Sequence, residues 1–219
     1  MTPYFRHLKA VLLAVLIVIG MGLHHDRANA ETLTVAGGCF WCVESDFESV
    51  PGVSEVITGY TGGNLENPTY KDVGRGGTGH YEAVQITYDP TIVSVEKLLA
   101  LFFRSVDPTD AGGQFCDRGD SYRTAVFYSN PMDKKIAKKV LQQAQDDLGQ
   151  KIVTPILPGQ VFYQAEDYHQ NYYKGTKLVL TRFGPKRQSS AYKRYREACG
   201  RDARVRQLWG EAAAFALTH

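Results

Sequence analysis

An α+β domain is predicted by three features of the 219-residue sequence: short β-rich runs, apolar runs at helical spacing between them, and turn residues separating the two. Thr32 to Ala36 (TLTVA) is the first β-rich run, and Gly37-Gly38 breaks it. From Cys39 to Phe47 the apolar positions recur at helical spacing until Pro51-Gly52 stops them. Val53 to Tyr60 reads as a second strand ending at Thr61-Gly62-Gly63. A polar loop follows, with Asn67-Pro68-Thr69-Tyr70 and the glycine-rich stretch from Gly74 to Gly79. Tyr81 to Tyr88 alternates like a half-buried strand closed by Asp89-Pro90. Ser94 and Lys97 offer a weak helix cap before the apolar run Leu98 to Phe103, which Asp107-Pro108 ends. Arg123 to Tyr128 is a further strand, and Asn130-Pro131 opens an amphipathic helix from Met132 to about Leu148.

The succession β-α-β-β-α-β, followed by an extra helix and a C-terminal extension, matches a ferredoxin-like plait, a sheet with helices on one face. The extension is expected to hold a short strand near Ile152 to Leu157, a polar-aromatic stretch from Glu166 to Tyr173, and basic helical segments from Ser189 to Leu217. One domain is expected over residues 31–219, with its core at about 33–173 and an extension over 174–219.

Residues 1–30 have a basic start with Arg6 and Lys9, an apolar run from Ala10 to Leu23, and the small-residue site Ala28-Asn29-Ala30. This is the pattern of a cleaved signal peptide, since the run is short for a bilayer span. An uncleaved anchor is the alternative. Removing the segment takes away Arg6, Lys9, Arg27 and Asp26, which cancels the net charge of +2. A formally neutral mature chain speaks against nucleic acid as a partner. An exported, periplasmic monomer without stable membrane insertion is expected.

All four cysteines, Cys39, Cys42, Cys116 and Cys199, lie in the mature part. Two structural disulfides would allow three connectivities, but a core of this size needs no staples. The Cys-x-x-Cys spacing of Cys39 and Cys42, directly after a strand and a glycine pair, favours redox exchange. A second such pair or clustered histidines would be needed for zinc, so no metal is expected. Cys39 falls at the first turn of a helix, where unpaired N–H groups and the helix dipole favour a thiolate. Phe40 and Trp41 beside it offer rings that attract polarizable sulfur.

Gly38-Cys39-Phe40-Trp41, Pro51-Gly52-Val53, Gly59-Tyr60-Thr61-Gly62-Gly63, Asn67-Pro68-Thr69-Tyr70, Thr78 to Val84 (TGHYEAV) and Tyr88-Asp89-Pro90 occur in fixed order. Asp107-Pro108, Asp117-Arg118-Gly119 with Tyr122-Arg123, and Ala165 to Gln170 (AEDYHQ) continue the series. This succession, over about Val35 to Tyr173, resembles the A-type peptide methionine sulfoxide reductases.

The resemblance implies reduction of the S epimer of methionine sulfoxide, free or in proteins, and so repair of oxidised methionine. Such chemistry needs a thiolate at sulfur and a proton for the departing oxygen. Cys39 is implied as the nucleophile. Glu82 is the implied acid, on a strand face with Val84 and Ile86 where apolar neighbours raise its pKa. Tyr70 and Tyr122 match the tyrosines that hydrogen-bond the sulfoxide oxygen, Asp117 completes this polar side, and Phe40 and Trp41 form the methyl-binding wall. Cys39 would become a sulfenic acid, which a second thiol condenses to a disulfide for an external dithiol to reduce. Many relatives carry Gly or Ala where Cys42 stands and resolve with cysteines of a glycine-rich tail. Here the tail differs, and Cys199, Cys42 and Cys116, in that order, are the candidates.

No cofactor is expected, and the reductant would be a thioredoxin-like dithiol. His80 reads as a loop residue positioning the strand of Glu82, and His169 as part of a hydrogen-bonded structural cap. An alternative is an exported thioredoxin-like disulfide oxidoreductase using Cys39 and Cys42, with Thr154-Pro155 in place of a cis-proline loop. The glycine-rich hairpin after the first helix argues against it. A disulfide-stapled binding module of the cell envelope is the non-enzyme alternative.

Overall fold

The computed structural model describes residues 30–181 and 184–216. The expected export segment lies, but for Ala30, outside them. Among the described residues no helix is long and apolar enough to cross a membrane.

In chain order the first half comprises β1 (Glu31–Gly37), α1 (Phe40–Glu48), β2 (Val53–Thr61), α2 (Tyr70–Gly74), β3 (Tyr81–Tyr88) and α3 (Val95–Phe103). A small hairpin of β4 (Gly113–Gln114) and β5 (Asp117–Arg118) precedes β6 (Thr124–Tyr128) and α4 (Pro131–Leu148). Then come β7 (Ile156–Pro158), β8 (Tyr163–Gln164), a hairpin of β9 (Leu178–Thr181) and β10 (Gly184–Arg187), α5 (Gln188–Ala198) and α6 (Arg201–Trp209).

Six strands form one mixed sheet in the order β7-β6-β1-β3-β2-β8. Here β1 runs antiparallel to both β3 and β6, β2 antiparallel to β3, and β7 parallel to β6. Side chains alternate between the faces of a strand. One face therefore collects Leu33, Val35, Val56, Val84 and Ile86 beneath Phe40, Val43 and Phe47 of α1 and Leu98, Leu99, Phe102 and Phe103 of α3. Ala36, Tyr81, Ala83, Ala125 and Phe127 form a smaller cluster on the other face. Glu82 stands opposite Tyr60 in the β2–β3 register and shares the parity of Val84 and Ile86. Its carboxyl is thereby placed under the start of α1.

Several expected boundaries move for local reasons. Ser94 is a working cap, its hydroxyl accepting from Lys97 N at 3.2 Å. The strand expected from Ile152 begins only after Pro155, which has no N–H for a ladder. The basic C-terminal stretch divides at Gly200, whose φ of +69° ends one helix and starts the next. The extension is part of the same core, since Val205, Trp209, Ala213 and Phe215 pack into the main cluster.

Candidate active site

The turn between β1 and α1 sets the site. Gly38 has φ +80°, and a Cβ there would lie 2.6 Å from Cβ of Gln114. The amide of Gln114 in turn accepts from Asp107 N at 2.8 Å and donates to Asp107 O at 2.7 Å. A glycine is thus required for the β4–β5 hairpin to pack under the turn. Cys39 follows as the N-cap of α1, as its sequence position predicts.

Its electrostatics differ from the expectation. The Cys39 side chain accepts no cap hydrogen bond, and the first free amide of the helix, Phe40 N, donates instead to Glu82 Oε2 at 3.1 Å. Cys39 is only 7% exposed and Cys42 only 2%. The two thiols are free and hydrogen-bond to one another. Burial and the Cys42 contact push Cys39 well above the ordinary thiol range. Cys42 is lowered to about 7, first by the hydrogen bond from Cys39 and then by Arg201 and Arg196. Burial thus acts against the thiolate at Cys39, at a helix end whose first amide is already used by Glu82.

Glu82 meets the expectation of a raised pKa: burial lifts it to about 8, against the opposing hydrogen bond from Phe40 N. Tyr122 is hydrogen-bonded to both Glu82 and Tyr70, so the two tyrosines and the acid form one connected group. Burial raises both phenols, Tyr70 to about 12, and keeps them as donors. Tyr70 is held by Glu166, which accepts from Tyr70 N at 2.9 Å and from the Tyr60 hydroxyl at 3.0 Å.

Phe40 is fully buried, whereas Trp41 is half-buried and stacks on Tyr172 with ring centres 3.8 Å apart. Trp41 Nε1 donates to His169 Nδ1 at 3.2 Å, and burial lowers His169 to about 4, so the ring is a neutral acceptor. His80 is likewise buried, between Gly63 N and Leu65 O. Asp117, raised by burial, accepts a hydrogen bond from the Tyr195 hydroxyl. Cys116 and Cys199 are joined to each other as a disulfide spanning 83 residues of sequence. Of the three thiols considered as partners for Cys39, Cys42 is the one beside it in this structure. The Cys116, Asp117 and Cys199 side chains also lie together.

Tyr60, Glu166, Tyr172 and Tyr195 contact the site residues, and Arg196 and Arg201 are buried nearby; none of them is marked as a site residue by the sequence. Periodicity carries no signal for a polar side chain that reaches the site from a distant helix. One further element is legible: Thr69 and Asp72 form a capping box that starts α2 at Tyr70, in a stretch whose composition reads as loop.

A sequence model of the peptide methionine sulfoxide reductase family matches residues 31–211. The chain belongs to the peptide methionine sulfoxide reductase family. A peptide methionine sulfoxide reductase of Caulobacter vibrioides is 48% identical over 207 residues, covering 94% of this chain and 99% of that protein. One from Bacillus subtilis is 46% identical over 182 residues, covering 82% and 96%. Among solved structures, methionine sulfoxide reductase A of Corynebacterium diphtheriae superposes with a TM-score of 0.64 at 33% identity, over 68% of this chain and 76% of that one. The reduced form of Mxr1 from Saccharomyces cerevisiae gives 0.65 at 33% identity, over 68% and 87%.

Membership makes this reductase an oxidoreductase. The disulfide-exchange alternative is not favoured, since the family match and the similar solved structures are those of methionine sulfoxide reductases.

Proposed function

We propose that this reductase converts the S epimer of methionine sulfoxide, free and in proteins, to methionine through Cys39. The observation that carries the reading is Glu82, buried, its carboxyl raised to about 8 by that burial and accepting at 3.1 Å from the amide of Phe40, the residue after Cys39. Cys39 attacks the sulfoxide sulfur and surrenders its thiol proton while Glu82 protonates the oxygen, with Tyr70 and Tyr122 donating to it. The sulfoxide is reduced by two electrons and leaves as methionine. Cys39 is oxidised by two and keeps the oxygen as a sulfenic acid. Phe40 and Trp41 supply the apolar side for the substrate methyl, and Asp117 closes the polar side.

Cys42 is the resolving thiol in this reading, supported by its hydrogen bond to Cys39 and by the mutual bonding of Cys116 and Cys199. It attacks the Cys39 sulfur, the S–O bond breaks, and the oxygen departs as water. An external thioredoxin-like dithiol then reduces the Cys39–Cys42 disulfide by two exchanges. The strand order β6-β1-β3-β2 supports reading the core as a ferredoxin-like plait. The segment before Glu31 supports export to the periplasm, with residues 31–219 acting as one domain.

Consumption of each epimer by residues 31–219 with dithiothreitol tests the proposal. Loss of the S epimer alone, reduced roughly 10⁴-fold or more in Cys39→Ser, is expected. Folded protein that consumes neither epimer sinks it.

A further inference from the structure

Two arginines from the C-terminal helices are buried beside the Cys39–Cys42 pair, and the reaction set out above uses neither. Arg196 of α5 is fully engaged. Its Nη1 donates to Asp46 Oδ1 at 2.8 Å and to the Tyr192 hydroxyl at 3.0 Å, and its Nε and Nη2 both reach Asp202. Arg201, at the start of α6, is 2% exposed and differently placed. Its hydrogen bonds go to neutral acceptors, the carbonyls of Gly37 at 3.2 Å and Ser105 at 3.0 Å. Asp46 lies 3.8 Å from its Nη2 and is already shared with Arg196, while its Nε has no hydrogen-bond partner. The centre of the Phe115 ring lies 4.9 Å from the Arg201 guanidinium carbon and Asp117 also feels its charge, so Arg201 meets carboxylates only at longer range, and buried charges of this kind concentrate where chemistry uses their field.

Cys42 lies next to this array. Asp46 follows Cys42 by four residues in α1, so the thiol shares the helix face on which both arginines converge. Cys42 packs with Cys39 and Tyr192 in one small cluster. The charged and titratable groups acting on it are Cys39 and Asp46 from its own segment, Glu82 from β3, Tyr192, Tyr195 and Arg196 from α5, and Arg201 from α6. Of the two cations Arg201 contributes more, and Asp46 opposes both.

We propose that Arg201 is a positioning residue for the resolving step, holding Cys42 as the thiolate that attacks the Cys39 sulfenic acid. The proposal rests on the reading of Cys42 as resolving thiol. In that step the Cys42–Cys39 S–S bond forms and the Cys39 S–O bond breaks. The oxygen leaves as water with a proton from Glu82, which has been reprotonated by the one Cys39 surrendered in the first step. Nothing is oxidised beyond the two thiols, and no further reactant is needed. The C-terminal helices thereby act on the chemistry from outside the substrate contact surface.

Single-turnover kinetics separate the two steps. Reduced protein is mixed with excess methionine sulfoxide without reductant, quenched in acid at intervals, alkylated, and assayed for methionine and for the Cys39–Cys42 peptide disulfide. Arg201→Gln keeps donors for the two carbonyls and removes the charge, whereas Arg201→Lys keeps the charge and loses the fork. In the parent, disulfide formation should rise with pH along a limb that reports deprotonation of Cys42. Arg201→Gln should shift only this ascending limb upward by about one pH unit, making disulfide formation roughly tenfold slower at low pH. Methionine release should stay within about twofold, and Arg201→Lys should keep the parental limb. Equal limbs in all three proteins, or equal shifts in both variants, overturn the proposal. If Arg201→Gln does not fold, an ascending limb in the parent at or above the free-thiol value of about 8.5 overturns it, and one below supports it. Cys42→Ser tests the underlying reading separately. A Cys39 link to Cys116 or Cys199 at the parental rate in that variant removes Cys42 as resolver, whatever Arg201 does.

Discussion

The two cysteine pairs of this reductase place the same side chain in opposite settings. Cys39 and Cys42 sit at the start of α1, both buried, both free, and surrounded by Glu82, two tyrosines and two arginines. Cys116 and Cys199 are bonded to each other, and Cys116 lies exposed on the β4–β5 hairpin. The second pair ties that hairpin to the end of α5, alongside the Tyr195–Asp117 hydrogen bond one helical turn earlier. Surroundings divide the labour. In the proposed function, the thiols facing an acid and a cation turn over, and the pair that closes a long loop acts on the stability of the chain.

Changes at the first pair should be felt in the chemistry. Glu82→Gln removes the acid and is expected to lower kcat by about 10²–10⁴-fold with the fold intact. Because burial raises Glu82 to about 8, the parent should lose activity as pH rises through that value, and the glutamine variant should lack this descending limb. A pH–rate profile of both proteins decides it, and an unchanged limb would break the contrast at its strongest point.

Removing the second thiol of that pair has a smaller effect. Cys42→Ser should still release methionine in a first turnover but fall more than about tenfold in steady state with a dithiol reductant. Burst kinetics with and without reductant measure the two phases, and parental steady-state turnover would mean that resolution lies elsewhere.

The double variant Cys116→Ser/Cys199→Ser should change turnover least, by less than about threefold. It should instead lower stability by about 2–4 kcal/mol, read as the denaturant midpoint against the oxidised parent. A large loss of turnover at unchanged stability would give the second pair a redox task and erase the division.

Much of the fold and of the site is legible in the residues alone. Alternation marks β3 at its observed bounds, Tyr81–Tyr88, but the strand is not half-buried as expected: Tyr81 and Ala83 pack on one face and Val84, Ile86 and Tyr88 on the other. Asn130 and Pro131 announce α4 through their positional preferences, and Asn130 Oδ1 does accept from Met132 N and Asp133 N. The ordered motifs locate Cys39, Tyr70, Glu82, Asp117 and Tyr122, and the fold brings these segments to one place. The charge state of the cysteines is not legible. Helix-end reasoning favours Cys39 as thiolate, but Glu82 takes the Phe40 amide. Arg196 and Arg201 arrive from helices far along the chain, Arg196 standing 150 residues beyond its partner Asp46.

The sequence by itself determined the family, the order of the main strands and helices, and the residue types that the reaction needs, since these depend on local periodicity and on motifs of a few residues. Only the tertiary structure decided which cysteines pair and which thiols are buried among charged groups. Both depend on burial and on Coulomb interactions, which follow distance in space rather than separation along the chain.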